Sequence, residues 1–216
     1  MELILPTALD AWKAALHQIR AQGRLFRDAD AREGWELLNL TVTIEHPQVG
    51  VDEPIDLLRT FDRWVYPSKD ELLNIVFQER ELLLYDYTYG NRIFHYQNVK
   101  DQINTYVLPL LREHPLSRRA MVITIDPLAD LVHGNRNAPG LISVHFRLVD
   151  DLLLMTAVVR SNDFFIGWPA NIFQLASLQH YVAEKLGVRV GSLSTHSLSA
   201  HVFSEYVNEV EEVLRR

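Results

Sequence analysis

Leu9, Trp12, Ala15, Leu16 and Ile19 recur three and four residues apart, the spacing of one apolar stripe on a helix, and predict an amphipathic helix over residues 9–21. A charged loop carrying Arg24, Arg27 and Arg32 follows. From Trp35 to Glu45 the pattern becomes β-branched and alternating, which predicts a strand stopped by His46-Pro47. Residues 48–68 have no clear period, and Pro54 and Pro67 interrupt any long element. Ser68, followed by Asp70 and Glu71, predicts a helix start leading into Leu72, Leu73, Ile75, Val76 and Phe77. Residues 85–90 (YDYTYG) predict an aromatic turn. Apolar positions from Asn98 to Leu111 predict a third helix, ended by His114-Pro115. Met121–Ile125 predicts a short strand, and the segment 133–140 (HGNRNAPG) is dense in turn formers. Two strands, Leu141–Leu148 and Leu152–Val159, flank the acidic turn Asp150-Asp151. A helix is expected over Ala170–Leu186 with Gly187 as its C-cap, then a strand over Leu193–Phe203 and a charged helix over Glu205–Arg215. With no repeat, linker or low-complexity segment, the pattern predicts a single α+β domain over residues 1–216.

Composition narrows the possibilities. The 216 residues are 48% hydrophobic, enough to bury a core in one unit. A net charge of -7 without a basic stripe argues against binding a nucleic-acid polymer, although a free nucleotide needs only a few local arginines. There is no cysteine, so disulfides and thiolate metal sites are excluded. The chain has neither an apolar run of membrane-spanning length nor a signal-peptide pattern, and a cytoplasmic protein is expected.

The stretch with most chemistry is 160–171, RSNDFFIGWPAN. Arg160 and Ser161 offer a guanidinium fork and a hydroxyl suited to phosphate. Asn171 carries donor and acceptor on one amide, enough to read a pyrimidine edge. Pro169, tolerated in a first helical turn, predicts a helix start near Asn171.

The spacing R-S-x-D-x-x-x-G-x-P-x-N resembles the signature of the thymidylate synthases and related pyrimidine nucleotide hydroxymethylases, and the likeness runs from about Lys69 to Tyr206, closest to the shorter archaeal-type members. It implies the thymidylate synthase fold, a mixed β-sheet covered by helices on one face and dimerising through the sheet. It also implies a nucleoside monophosphate as ligand and 5,10-methylenetetrahydrofolate or a related pterin as cofactor.

By the same resemblance Ser117-Arg118-Arg119 matches an S/T-R-R that lends two arginines to the neighbouring subunit's phosphate site; read alone, it is an exposed pair after Pro115. Tyr89-Gly90 matches a pair whose tyrosine organises water and proton transfer near C5 of the base, and otherwise reads as a core aromatic in a turn. Glu71 matches the catalytic glutamate of a similar E-L-L helix, and otherwise reads as a solvated helix-start carboxylate. Asp163 corresponds to the aspartate that contacts the pterin. Asn171 corresponds to the base reader, favouring a uracil-like edge. His201 matches the ribose histidine of D-x-H-x-Y, where Phe203 stands in place of the tyrosine and cannot share the sugar hydroxyl. The N-terminal phosphate arginine is one of Arg24, Arg27 and Arg32.

One departure matters most. The family's nucleophile is a cysteine in a Pro-Cys pair, and counting back from Arg160 without a gap reaches Gly140 after Pro139, with Leu141 where histidine is usual. Ser143 is the nearest hydroxyl downstream and His145 a conceivable base for it, though His145 also reads as an ordinary strand histidine. Ordinary dUMP methylation is therefore expected to be absent. Three functions remain: one-carbon transfer to a nucleotide whose acceptor carbon is already electron-rich, a nucleotide-binding homologue without catalysis, and a different reaction such as hydrolysis in the same pocket. A flavin route lacks any Gly-rich dinucleotide motif.

Overall fold

The computed structural model describes residues 1–77 and 87–216. Its strands are β1 (Glu2–Leu5), β2 (Arg24–Arg27), β3 (Glu33–Ile44), β4 (Met121–Ile123), β5 (Leu141–Val149), β6 (Leu152–Asp163) and β7 (Arg189–Phe203). Its helices are α1 (Ala8–Gln22), α2 (Glu53–Leu58), α3 (Lys69–Phe77), α4 (Tyr89–Phe94), α5 (Leu108–Glu113), α6 (Pro127–Asp130), α7 (Gly167–Leu186) and α8 (Val207–Arg215). The strands form one mixed sheet in the order β1-β3-β7-β6-β5-β4, with β2 also paired to β3. β1 runs parallel to β3 and β6 to β7, while the other neighbours are antiparallel. The α+β class and mixed sheet expected from the sequence are both present. No helix among the described residues is long and apolar enough to cross a membrane.

The core lies between the sheet and α1 and α7. α1 starts at Thr7, whose Oγ1 accepts from the Asp10 amide, and buries Trp12, Leu16 and Ile19 at helical spacing. Parallel strands β6 and β7 need a crossover, and α7 supplies it, ending at Gly187 in the left-handed conformation (φ 70°) that favours glycine.

Several elements differ from expectation. α7 begins at Gly167, not near Asn171, because Asp163 Oδ1 accepts from the Phe165 and Ile166 amides and turns the chain early. Pro169 then falls inside the first turn, where a missing N–H costs nothing, and Asn171 lies a turn further in. The expected helix from Asn98 starts late: Gln97 and Asn98 have positive φ, and Pro109, with no N–H to donate, leaves a π-helical turn at Ile103–Val107 before α5. The charged loop at Arg24–Arg32 is a hairpin of β2 against β3. β1, α2, α4 and α6 are additional to the pattern read from sequence. Of the aromatic turn, Tyr85 and Asp86 lie outside the described residues.

Candidate functional site

Four sequence segments meet beside Gly140. An enclosed apolar cavity of about 10 Å³, the space of one water, is lined by Tyr89 at the start of α4, Leu141 of β5, Val159 of β6, and Asn171 and Gln174 of α7. The Arg160 amide donates to Gly140 O at 2.7 Å, and the Arg160 guanidinium reaches back to Ala138 O at 3.1 Å. The missing side chain can be located: a Cβ built on Gly140 would lie 3.3 Å from Ser161 O and 3.6 Å from the Tyr89 hydroxyl. Gly140 thus faces the tyrosine and the arginine-serine pair of the motif.

Tyr89 is half-buried against this spot, with its hydroxyl oxygen accepting from the Leu141 amide at 3.4 Å. Burial pushes its pKa up to about 12, so it is a neutral donor in ordinary buffers. Tyr87 packs beside it, ring centroids 6.2 Å apart, with its own pKa raised by burial and tempered by Arg160 and the Gly140 amide. Tyr87 was not singled out in the sequence, yet its alternation with Tyr89 in an extended segment carried the signal.

Asn171 Nδ2 donates to Asn162 Oδ1, and Asn162 Nδ2 to Ser197 Oγ, so the amide expected to read a base is held against the sheet. His201, at 8% exposure, is packed by Phe26 (5.7 Å between centroids) and Phe203 (5.0 Å). Burial lowers its pKa and favours the neutral imidazole. Of the three candidate arginines, Arg32 is the one that reaches this end: its guanidinium lies 4.0 Å over the Phe203 ring and is bound to Asp28. Arg24 and Arg27 are exposed at the two ends of β2. The hairpin tip also meets the segment before Gly140 through an Asp30–Arg136 ion pair.

Asp163 is buried enough for its pKa to rise to about 6, even though the Phe165 and Ile166 amides stabilise the anion. A carboxyl with an unfolded value of 3.8 and a folded value near 6 holds its proton longer when folded. Stability from this group is therefore present at low pH and lost as pH rises from about 4 to about 6. Asp163→Asn keeps the acceptor for both amides and removes the buried charge. It is expected to exceed the wild type in stability at pH 7.5 by up to about 3 kcal/mol, the gap closing towards pH 4. Urea denaturation at pH 7.5 and 4.5 checks this, and equal gaps at the two pH values would contradict it. Beyond Asp163 opens a recess of about 370 Å³ walled by Trp64, Tyr66, Pro67, Ile166, Ala170 and Tyr206, with Tyr66 donating to Ile166 O at 2.6 Å. These aromatics were also missed, because they come from two distant segments with no shared motif.

Other predicted residues lie apart. Glu71 Oε2 accepts from the amide and hydroxyl of Ser68, both at 2.7 Å, while Ser68 Oγ accepts from the Glu71 amide. That is a capping box, and it holds an exposed carboxylate below the usual range. Glu71 therefore does the helix-start work that was the alternative to a catalytic role. Arg118 and Arg119 are exposed on a loop whose carbonyls are pinned by Arg147 and Tyr106. The Ala120 carbonyl meets Phe146, so the length of β5 from Leu141 to Phe146, roughly 16 Å, separates this pair from Arg160 within one protomer. Ser143 lies 3.4 Å from His145 Nε2 on the sheet face opposite the buried Val144, Phe146 and Leu148, away from the core that holds Tyr89. It cannot stand in for a nucleophile at Gly140.

A family model described as thymidylate synthase matches residues 59–216. A Methanosarcina mazei protein named "Putative thymidylate synthase" is 32% identical over 206 residues, covering 95% of this chain and 91% of that one. A protein of the same name from Methanothermobacter thermautotrophicus is 32% identical over 224 residues, covering 95% of each. Another, from Methanocaldococcus jannaschii, is 30% identical over 206 residues, covering 92% of this chain and 88% of its own length.

Proposed function

This chain belongs to the thymidylate synthase family, and from that premise we propose that it binds a nucleoside monophosphate and transfers a one-carbon unit to it from a folate-type cofactor without a cysteine nucleophile. The observation that carries the reading is the convergence at Gly140: the Tyr89 hydroxyl and the Ser161 carbonyl beside a position with no side chain, the Arg160 amide on the Gly140 carbonyl, and Asn171 lining the cavity that Tyr89 and Leu141 share. Arg160 and Ser161 meet the phosphate, Asn171 the base, and His201 the sugar, through a single imidazole because Phe203 offers no hydroxyl. An acceptor carbon already rich in electrons needs no added thiolate, and the Tyr89 O–H remains to donate to a ring oxygen or an ordered water.

The aromatic recess offers a flat pterin the stacking surface of its walls, and Asp163, whose charge is felt by the wall residues Tyr66 and Tyr206, is the carboxylate to accept from an amino-pyrimidine edge. When bound, that cofactor would supply the one-carbon unit. Its Asp163 contact favours the ionised carboxylate and so strengthens above about pH 6. Arg118 and Arg119 serve the phosphate of a second subunit, docked on the open sheet face, which explains why they lie far from their own Arg160. A monomeric mass in sedimentation would remove that part.

The test is thermal shift with a panel of nucleoside monophosphates, with and without methylenetetrahydrofolate. A nucleotide at 100 times its Kd adds about 2.7 kcal/mol, which is ~5–10 °C for a chain of this length. Arg160→Ala is expected to weaken binding by ~10–100-fold through the lost charged hydrogen bonds. A further shift on adding folate to the nucleotide complex supports transfer. No folate increment with any nucleotide that binds favours the second reading, a binding protein without catalysis. That reading has its own support in the Glu71 carboxylate engaged by Ser68.

A further inference from the structure

Asn162 lies between two partners. Its Oδ1 accepts from Asn171 Nδ2 at 3.3 Å and its Nδ2 donates to Ser197 Oγ at 3.0 Å. Asn162 is 1% exposed and Ser197 fully buried, so the chain of side chains leads from the half-buried Asn171 on α7 through β6 to β7, its inner two members shut off from solvent.

An amide has almost the same shape after a half-turn, but the turn exchanges donor for acceptor. An asparagine free to turn therefore accepts two opposite ring edges equally well: an N–H beside a carbonyl, as in uracil, and a bare nitrogen beside an amino group, as in cytosine. Selectivity requires something that stops the turn. Here a reversed Asn171 would set its oxygen against Asn162 Oδ1, two acceptors facing each other in a dry site. Relief requires Asn162 to reverse as well and the Ser197 hydroxyl to swing round with it, all inside a packed interior. Resting on the proposed base-contacting role of Asn171, we infer that Asn162 is a positioning residue, which holds the Asn171 oxygen towards the ligand and so makes the site select a ring edge with N–H beside carbonyl.

Ser197 completes the relay. Without its oxygen, the Asn162 amide loses the partner that orients it, and Asn171 is released indirectly. The experiment uses the full chain and calorimetric Kd values for UMP and dUMP against CMP and dCMP, with inorganic phosphate as the base-free control. The wild type is expected to prefer the uracil nucleotides by ~10–100-fold, the discrimination of one well-placed bidentate contact. In Asn162→Leu and Ser197→Ala that preference falls to about threefold or less, with phosphate affinity unchanged. Ser197→Ala removes one atom and keeps the test available if Asn162→Leu does not fold. An undiminished preference in a folded variant overturns the inference while leaving Asn171 as the base contact. Equal weakening of all four nucleotides also overturns it, since a purely structural role does that. A wild type that prefers cytosine overturns it through the sign. A wild type that binds none of the nucleotides overturns the Asn171 reading and this inference with it.

Discussion

Given dUMP labelled with hydrogen at C5 and methylenetetrahydrofolate, the protein is expected to release no label above background. C5 of the pyrimidine becomes nucleophilic only when a group adds at C6, and counting back from Arg160 puts Gly140 where the family's thiolate is expected. Among the described residues no neighbour compensates. Ser143 lies beside His145 on the other face of the sheet, and Tyr89 keeps its proton, its pKa having been pushed up to about 12. In enzymes where the nucleophile has been deleted, losses reach about 10⁶-fold, and a comparable deficit would put label release below detection. The complementary variant sharpens the point. A Cβ at Gly140 would lie 3.3 Å from Ser161 O, close enough to require a shift of a few tenths of an ångström but not a rebuilt backbone. Gly140→Cys is therefore expected to fold and to gain measurable release. Brisk release by the wild type would refute the expectation. A folded but inert Gly140→Cys would mean that the thiol is not the only part missing, and Glu71, engaged by Ser68, would be the next suspect.

The largest stability effect is expected at Trp12. Its ring is fully buried and stacked on Phe165 with centroids 6.0 Å apart, and its Nε1 donates to Phe164 O at 2.6 Å. Trp12→Ala removes the buried area, leaves a cavity and orphans a buried carbonyl, a loss of about 3–5 kcal/mol. For a chain of this length that lowers Tm by ~6–20 °C. Trp12→Phe keeps most of the apolar contact and loses the hydrogen bond, so about 1–3 kcal/mol is expected. Urea midpoints of the two variants measure both. A loss under about 1 kcal/mol for Trp12→Ala would mean that α1 is not anchored to the motif turn in the way the contacts imply. The position also matters for function, since Phe164 follows Asp163 and its amide donates to His201 O at 2.8 Å.

How far the sequence could be read depended on whether the controlling interaction was local. α1, the β5–β6 hairpin and the end of α7 at Gly187 were legible because period, turn residues and cap lie within a few positions of one another. The start of α7 was misplaced because its determinant is a side chain, Asp163, bonding to backbone amides, which no hydrophobic pattern encodes. β1 was missed because four residues carry too little alternation, and its strand identity comes from the edge of β3. The site divides in the same way. Arg160, Ser161, Asp163 and Asn171 share one stretch of chain and were found together. Tyr87, Asn162 and the aromatic recess gain meaning only from partners brought near by folding.

The order of strands carries a consequence for how the molecule is made. β7 occupies the middle of the sheet and joins β3 to β6, with Gly34 opposite Phe203, far apart along the chain. Until β7 is in place, β3 and β6 have no common partner and each exposes an unpaired edge. Closing the sheet thus depends on pairings far apart in sequence, and such non-local contacts form slowly.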